Sequence, residues 1–331
     1  MEIARLNPNG IIQHRGGTAT VLATENPLPL RREIMIEIDT GKIKVGDGVT
    51  YWNSLPYIVG DGSGSSSGET PTPSVEPTGD EAATNNETYV DLDLGSFSET
   101  VQTAISSGLF TGLNPGNYID FFNVAYSYLD ENNATQNDTY SGRMRLMHLN
   151  YLKLLGGANY ASLPPHVAVA PDENLYSMKM NDTNTNATGY VGSKGRTVGL
   201  RRAKAIFEAC FGASHILTYQ EYLINAVTNS VSSGGINCDC TVELMDERMV
   251  FGEYKYDNGT HDATAVPEKF IFPHEQLAAF KLNNALIANG AWWWERNAYS
   301  SGGFCSVGLG GSAGALSASA TLGVRPVAFI C

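Results

Sequence analysis

This chain has few charged residues and no long apolar runs. Only 17% of its 331 residues are charged, and 21 basic against 34 acidic side chains leave a net charge of −13. Such a chain lacks the basic surface that binds DNA or RNA, and no apolar run approaches the roughly 20 residues that span a bilayer. We therefore expect neither nucleic-acid binding nor membrane insertion. The 35 glycines favour a turn-rich globular protein over a coiled coil.

Cysteine is also sparse, since the chain has only Cys210, Cys238, Cys240, Cys305 and Cys331. An odd, sparse set is unlike a disulfide scaffold and indicates free, largely buried thiols in a chain made in a reducing compartment. The single residue between Cys238 and Cys240 is too short a spacing for a zinc knuckle. The first residues lack the basic and apolar segments of a secretory signal, so no signal peptide is expected.

Recognisable catalytic patterns are missing as well. The six histidines form no HExxH motif, and no GxSxG elbow occurs. Asp246 and Glu247 are adjacent carboxylates, but their spacing does not place two carboxylates across a glycosidic bond. The polar loops 181–190 and 257–264 lack the calcium-loop pattern and are expected to be solvated. We expect no enzyme activity, cofactor or metal, and a glycan-degrading enzyme stays open as an alternative.

Period-two alternation begins near the N-terminus. Ile34, Ile36 and Ile38 alternate with more polar positions, which predicts a half-buried strand. Gly41 suits the following turn because it tolerates positive φ, and Ile43 to Val45 resumes the alternation on a return strand. Residues 33–45 are thus predicted to form a β-hairpin, covered by the apolar residues Trp52, Leu55 and Tyr57.

Composition divides the chain into four parts. Residues 1–59 form a small β-module, too small to be stable without partners. Residues 60–88 are rich in Gly, Ser, Thr, Pro and acid and predict a flexible linker. Residues 89–179 form an intermediate region, and residues 180–331 form the C-terminal domain. The fold class we predict is mainly β, with an α+β head.

The head contains one clear amphipathic helix and one uncharged segment. Gly199–Gly212 places Leu200, Ala203, Ile206, Phe207 and Cys210 on one helical face, and Gly212 suits the position after the helix end. Shorter helices are predicted at Val101–Leu109 and Phe280–Ala288, and strands in 117–130, 241–256 and 268–273. From Asn297 to Val324 there is no charged residue, which predicts short strands and tight loops.

The N-terminal motifs resemble a known family. Arg15-Gly16-Gly17-Thr18, a following strand, and the segment KVGDGVTYWNSLPY are similar to the attachment module of bacteriophage tail and receptor-binding proteins, over about residues 11–58. Arg32 stands where that module usually has Gly. The resemblance implies attachment to the virion through Arg15, Trp52, Leu55 and Tyr57, with assembly as a homotrimer.

A second resemblance covers about residues 180–331. The segments from Asn186 to Gly212 and from Val242 to Tyr256, the run Trp293-Trp294-Glu295-Arg296 and the ending Gly323-Val324-Arg325-Pro326 resemble a domain of phage and bacterial surface proteins. That domain is related to C-type-lectin-like folds. Glu295 replaces a usual apolar residue. Some lectin-like relatives are oxidases that use a Cys pair, but Cys305 and Cys331 are more simply small core residues.

Together the resemblances imply a virion structural protein that binds without turnover. The chain would be made in the bacterial host cytoplasm, join other virion proteins of the tail, baseplate or capsid, and bind a bacterial surface glycan or protein. A head fibre or capsid decoration protein is the alternative location. Trp and Tyr are frequent at binding hot spots, and the candidate receptor contacts are Trp292, Trp294, Asn297, Tyr299 and Phe304. Arg325 is expected to pair with Glu295 or another acid.

Overall fold

A computed structural model describes residues 15–30, 33–40, 42–45, 49–55, 57, 85–156, 158–229, 231–256 and 274–331. The chain divides into two compact units, Met1–Pro73 and Ser74–Cys331. The predicted linker 60–88 lies outside the described residues except for its last four positions, and so do the loop 257–264 and the predicted strand 268–273. The finer division into four parts stays a prediction.

The described part of the N-terminal unit has three short strands and one α-helix. They are β1 (Arg15–Gly17), α1 (Ala19–Glu25), β2 (Ile34–Glu37) and β3 (Ile43–Val45). The sheet order is β1-β2-β3, with β1 parallel to β2 and β2 antiparallel to β3. The predicted hairpin is therefore confirmed. Thr18 caps α1 by accepting a hydrogen bond from the Val21 backbone N–H, which satisfies one free donor of the first turn.

The core of this unit is small. It lies on the side of β2 opposite to the isoleucine side chains. Its buried cluster consists of Leu22, Met35 and Trp52. Met35 and Glu37 point inward, whereas Ile34 is at the surface and Ile38 is 71% exposed. The predicted alternation is confirmed, but the more apolar face is the outward one because Trp52 and Leu22 occupy the other side.

Six helices are described in the head: α2 (Glu99–Ser106), α3 (Tyr151–Leu155), α4 (Ala158–Ala161), α5 (Leu200–Phe211), α6 (Glu247–Phe251) and α7 (Ala278–Leu282). Helix α5 confirms the predicted amphipathic helix, with Leu200, Ala203, Ile206 and Phe207 buried. It ends at Gly212, whose φ of 87° is accessible to glycine at little cost. Helix α6 replaces part of the predicted strand 241–256, because Asp246 accepts the Arg248 backbone N–H at 2.7 Å and starts a helix.

Twelve strands supply the rest of the described head: β4 (Tyr118–Leu129), β5 (Thr135–Leu149), β6 (Val167–Pro171), β7 (Ser177–Lys179), β8 (Tyr219–Thr228), β9 (Val231–Cys240), β10 (Val242–Leu244), β11 (Trp293–Ser300), β12 (Gly303–Val307), β13 (Ala313–Ser317), β14 (Thr321–Gly323) and β15 (Pro326–Ile330). The prediction of a mainly β protein is confirmed. Segment 117–130, predicted as a strand pair, is the single strand β4.

The strands form two five-stranded sheets and one hairpin. The first sheet has the order β10-β15-β6-β5-β4 and is antiparallel throughout. The second has the order β13-β12-β11-β14-β7, in which only β11 and β14 run parallel. Strands β8 and β9 pair with each other. Consequently β11 lies at the centre of the second sheet, and β13 lies at its edge.

All five cysteines are free thiols. Within the described ranges, no helix combines the length and apolar character that crossing a bilayer requires.

Candidate functional site

Three of the expected receptor contacts are buried, Trp294 and Asn297 on β11 and Phe304 on the neighbouring strand β12. Trp294, Asn297 and Phe304 lie in the interior instead of on the surface. The Trp294 indole donates a hydrogen bond to the Met178 carbonyl at 3.0 Å and meets Phe304 edge to face, with ring centroids 6.4 Å apart. These three buried side chains therefore support the surface and do not form it.

Asn297 joins β11 to the start of α6. Its Oδ1 accepts the Glu247 backbone N–H at 2.8 Å, and its Nδ2 donates to Asp246 Oδ2 at 3.0 Å. The first N–H groups of a helix have no partner within the helix, and Asn297 supplies one. Its role in the described structure is to position the α6 turn.

A buried ionic network on the other face of β11 was not predicted. Arg296 Nη1 donates to Glu221 Oε2 at 2.9 Å, Arg296 Nη2 contacts Glu221 Oε1, and His274 Nε2 lies 2.5 Å from the same oxygen. Burial alone would raise the pKa of Glu221, but the Arg296 and His274 charges and hydrogen bonds lower that pKa to about 2. The sequence of β8 does contain an indication of this network, because the alternation places Glu221 on the inward face with Tyr219 and Leu223. A carboxylate on a buried face requires a charged or hydrogen-bonding partner.

The pKa of Glu295 shifts in the opposite direction to that of Glu221. It is fully buried, and neither carboxylate oxygen has a hydrogen-bond partner in the described structure. Burial, together with Glu247 and Asp246, raises the pKa of Glu295 well above its ordinary value. Burial without a hydrogen-bond partner disfavours the charged form of this carboxyl group and favours the protonated acid.

Arg325 does not pair with Glu295, so that expectation is wrong. The Arg325 guanidinium donates to the carbonyls of Pro171 at 2.9 Å and Leu286 at 2.8 Å, and lies against the rings of Phe280 and Trp293. Burial lowers the pKa of Arg325 to about 10. Backbone carbonyls, and not a carboxylate, accept the hydrogen bonds of this buried guanidinium. Arg325 is therefore a structural residue.

Trp292 and Tyr299 are the two expected receptor contacts that lie at the surface. Trp292 is 39% exposed and Tyr299 is 40% exposed. Trp292 immediately precedes β11, and Tyr299 lies near its other end, where it meets Tyr256 edge to face. The uncharged segment between 297 and 324 supplies the end of β11 together with β12, β13 and β14. Glycine, serine and alanine predominate in this segment, and Tyr299 and Leu309 are its exposed large side chains.

The loop 181–190 gives no support for a bound cation. Asp182 accepts from the Lys194 ammonium at 2.8 Å, and Asn181 accepts the Lys194 backbone N–H at 3.0 Å. Across the part of the chain that the structure describes, no three His, Cys, Asp or Glu side chains are grouped to hold a metal ion.

The expected attachment residues of the N-terminal unit are mostly internal. Trp52 and Leu55 are buried, and Tyr57 is partly exposed. The Lys44 ammonium donates to the Trp52 carbonyl at 2.8 Å and lies 4.2 Å from the centre of the Tyr57 ring. A hydrogen bond from the Tyr57 hydroxyl to Glu37 raises the pKa of Tyr57 to about 12. The side chain of Arg15 lies outside the described structure, and a role of these residues in attachment stays a prediction.

Comparison with family models gives one match, which lies near the N-terminus. Residues 12–50 match the family model of the major tropism determinant N-terminal domain. This confirms, over those residues, the resemblance to phage tail and receptor-binding proteins. No curated protein matches the chain.

Two solved structures align with the chain. One is a full-length streptococcal bacteriophage hyaluronidase in complex with unsaturated hyaluronan octasaccharides, with 25% identity, 31% of this chain covered and a TM-score of 0.15. The chain spans only 30% of that hyaluronidase. The other is the U1 variant of a major tropism determinant, with 11% identity, coverage of 96% and 98%, and a TM-score of 0.15. At these scores neither alignment bears on the fold of the head, and a lectin-like head stays a prediction.

Proposed function

We propose that this chain is a structural appendage of a bacteriophage virion that binds the bacterial surface without chemical turnover. The observation that carries the proposal is the tropism-determinant domain at residues 12–50. In this proposal residues 1–59 attach the chain to the particle, and the C-terminal head, with a lectin-like fold, contacts the host. The exposed aromatic side chains of Trp292 and Tyr299 support a binding role for the head.

Assembly as a homotrimer is supported by the outward face of the N-terminal unit. Ile38 is 71% exposed and Val49 is 78% exposed, and Ile34 lies on the same face of β2 as Ile38. A row of exposed isoleucines is the kind of surface that another chain covers. Three heads on one axis would strengthen a weak single-site affinity through effective concentration. The mass in solution should be three times the 35.6 kDa of one chain, and a monomeric mass would contradict this part of the proposal.

Immunogold labelling of intact particles tests the virion assignment. Labelling at the tail tip supports a receptor-binding appendage, labelling over the capsid supports the head-fibre alternative, and unlabelled particles contradict both. Incubation with host polysaccharide followed by sizing tests the absence of turnover. Unchanged polysaccharide length is expected, whereas shortened chains would favour the enzyme alternative.

A further inference from the structure

Two histidines of the head are buried at the neighbouring ends of two paired strands. His148 lies near the end of β5 and is 8% exposed, and His166 immediately precedes β6 and is completely buried. Strands β5 and β6 are antiparallel neighbours, and His148 lies opposite Ala168. Histidine is the side chain whose ordinary pKa lies closest to neutral pH. The charge of each ring is therefore decided by the groups that contact it.

The partners of His166 require a neutral ring. Its Nδ1 lies 2.9 Å from the Pro164 carbonyl oxygen, and its Nε2 lies 3.1 Å from the Leu152 backbone nitrogen. A carbonyl only accepts a hydrogen bond, and a backbone N–H only donates one. Nδ1 therefore carries the proton, and Nε2 accepts the Leu152 N–H. A proton on Nε2 would replace this acceptor by a second donor that faces the Leu152 N–H.

His148 makes the same kind of contact with a different helix. Its Nδ1 accepts the Ala278 backbone N–H at 3.0 Å, so this nitrogen is also unprotonated. Leu152 lies in the first turn of α3, and Ala278 is the first residue of α7. The residues that precede these helices, Asn150 and Leu277, make no side-chain capping bond. The two imidazole rings therefore accept N–H groups that have no partner within their own helices.

The surroundings of both rings oppose protonation. Burial lowers the pKa of His148 to about 3, and the neighbouring His166 and Lys281, which lies on α7, add to this effect. Burial also lowers the pKa of His166 to about 4, with a contribution from Lys153 on α3, although the Pro164 carbonyl favours the charged ring. The N-terminal end of a helix is itself partially positive. Each proton would therefore enter a buried site beside other positive charge.

The remaining neighbours of the rings are aromatic. Tyr151 meets His148 edge to face with ring centroids 5.0 Å apart, and Phe329 meets His166 in the same way at 5.4 Å. The Tyr151 hydroxyl donates to the Glu275 carbonyl at 2.7 Å, away from His148. Among the described residues, no carboxylate offsets a positive charge on either ring.

We propose that His148 and His166 form an acid-sensitive latch, which holds the N-terminal ends of α7 and α3 against strands β5 and β6. A proton from solvent that binds Nδ1 of His148 removes the acceptor of the Ala278 N–H, and a proton on Nε2 of His166 does the same to the Leu152 N–H. Two donors then face each other, and the helix end leaves the ring so that water can reach the charge.

Opening of the latch at α7 would reach the buried ionic network. His274 lies shortly before α7 and contacts Glu221, which also binds Arg296 on β11. The exposed aromatic residues Trp292 and Tyr299 lie before β11 and near its far end. The latch therefore links acid pH to the strand that positions these two residues.

The latch should weaken as pH falls. An opened helix end exposes a histidine with its ordinary pKa near 6.5, whereas the pKa of each latched ring is lower. Stabilisation by the latch is thus complete above about pH 6.5 and is lost progressively below it. Each histidine should reduce the protection of its helix from hydrogen exchange by up to about tenfold per pH unit.

Hydrogen exchange of the full chain, measured by mass spectrometry of its peptides, tests the latch. Relative to the exchange of an unstructured chain at each pH, peptides from α3 and α7 should lose protection roughly tenfold or more between pH 7.5 and pH 5. The double variant His148→Asn, His166→Gln should retain its protection. The Asn Oδ1 and Gln Oε1 atoms can accept hydrogen bonds where His Nδ1 and Nε2 do, and they do not titrate.

His215→Asn is the matched control. His215 Nδ1 donates to the Cys331 carbonyl at 2.7 Å, so this bond survives protonation, and the variant should respond to acid like the parent protein. Unchanged protection of α3 and α7 at pH 5 would overturn the latch, and so would an equal loss in the double variant. An equal loss in α5, which no histidine caps, would indicate general acid unfolding and would also overturn it.

NMR of the parent protein gives a second test that does not depend on how a variant folds. With histidine-selective labelling, at least two of the six ring signals should keep the chemical shift of neutral imidazole at pH 5.5 while the head remains folded. Titration of all six rings with midpoints near pH 6.5, with α3 and α7 still protected, would overturn the latch.

Discussion

The N-terminal unit and the head distribute apolar side chains in opposite ways. The N-terminal unit buries a cluster of three residues and exposes the isoleucine face of β2. The head buries Trp293 and Trp294, while its uncharged segment presents mainly glycine, serine and alanine. A unit with a small core and an apolar exterior is expected to gain stability from neighbouring chains. The head has a far larger buried cluster and is expected to depend less on neighbouring chains for its stability.

The largest loss of stability is expected from a substitution in the buried ionic network of the head. Arg296→Ala leaves Glu221 buried without its principal partner, and such a loss costs about 3–5 kcal/mol. Urea unfolding of the full chain, followed by near-UV circular dichroism, measures this change. Lys204→Ala is the control, because Lys204 and Glu208 form an exposed pair at 3.8 Å that should contribute less than about 0.5 kcal/mol. Equal effects of the two variants would show that the network does not determine the stability of the head.

Removal of the largest core side chain should unfold the N-terminal unit. Trp52→Ala is expected to cost about 3 kcal/mol, and only Leu22 and Met35 remain in the buried cluster. Hydrogen exchange at the amides of β2 and β3 should therefore approach the rate of an unfolded chain. Val49→Ala, at a position that is 78% exposed, should leave exchange unchanged. Full protection in the Trp52 variant would mean that contacts other than this core hold the unit together.

A pH-dependent effect is expected from Glu295. Its folded-state pKa is raised, so above the ordinary pKa of glutamate the unfolded chain releases a proton that the folded head retains. The stability of the parent protein should therefore fall as pH rises, by up to about 1.4 kcal/mol per pH unit from this group. Glu295→Gln is uncharged at every pH and should remove this contribution.

Urea unfolding between pH 5 and pH 8 measures the difference between the Glu295→Gln and parent proteins. The advantage of the variant should grow with pH, because ionisation of the parent residue in the unfolded state grows with pH. A constant difference would show that Glu295 is already ionised in the folded head.

The sequence predicts local structure better than it predicts which side of an element is buried. Helix α5 and the β2–β3 hairpin follow from the spacing of apolar residues and from Gly41 and Gly212. The orientation of β2 does not, because Trp52, which covers Met35, is distant in sequence. In β11 residues on both faces are buried, so alternation carries no information about exposure, and Trp294 could not be distinguished from Trp292 before the sheet order was known. The partners of Glu221 and Arg325 likewise depend on tertiary contacts.

The smallest loss of stability is expected from a substitution at the start of the described head. Asn86 Nδ2 donates to the Leu149 carbonyl at 2.8 Å, and Asn86 Oδ1 accepts the Leu149 N–H at 2.8 Å. This amide continues the hydrogen bonding of β5, so the last residues of the predicted linker belong to the head. Asn86→Ala should cost about 1 kcal/mol and lower the melting temperature of the head by a few degrees. Asn85→Ala removes a single bond of 3.3 Å to Leu109 O and should change less. Equal melting temperatures for the Asn86 variant and the parent protein would place the functional start of the head after residue 88.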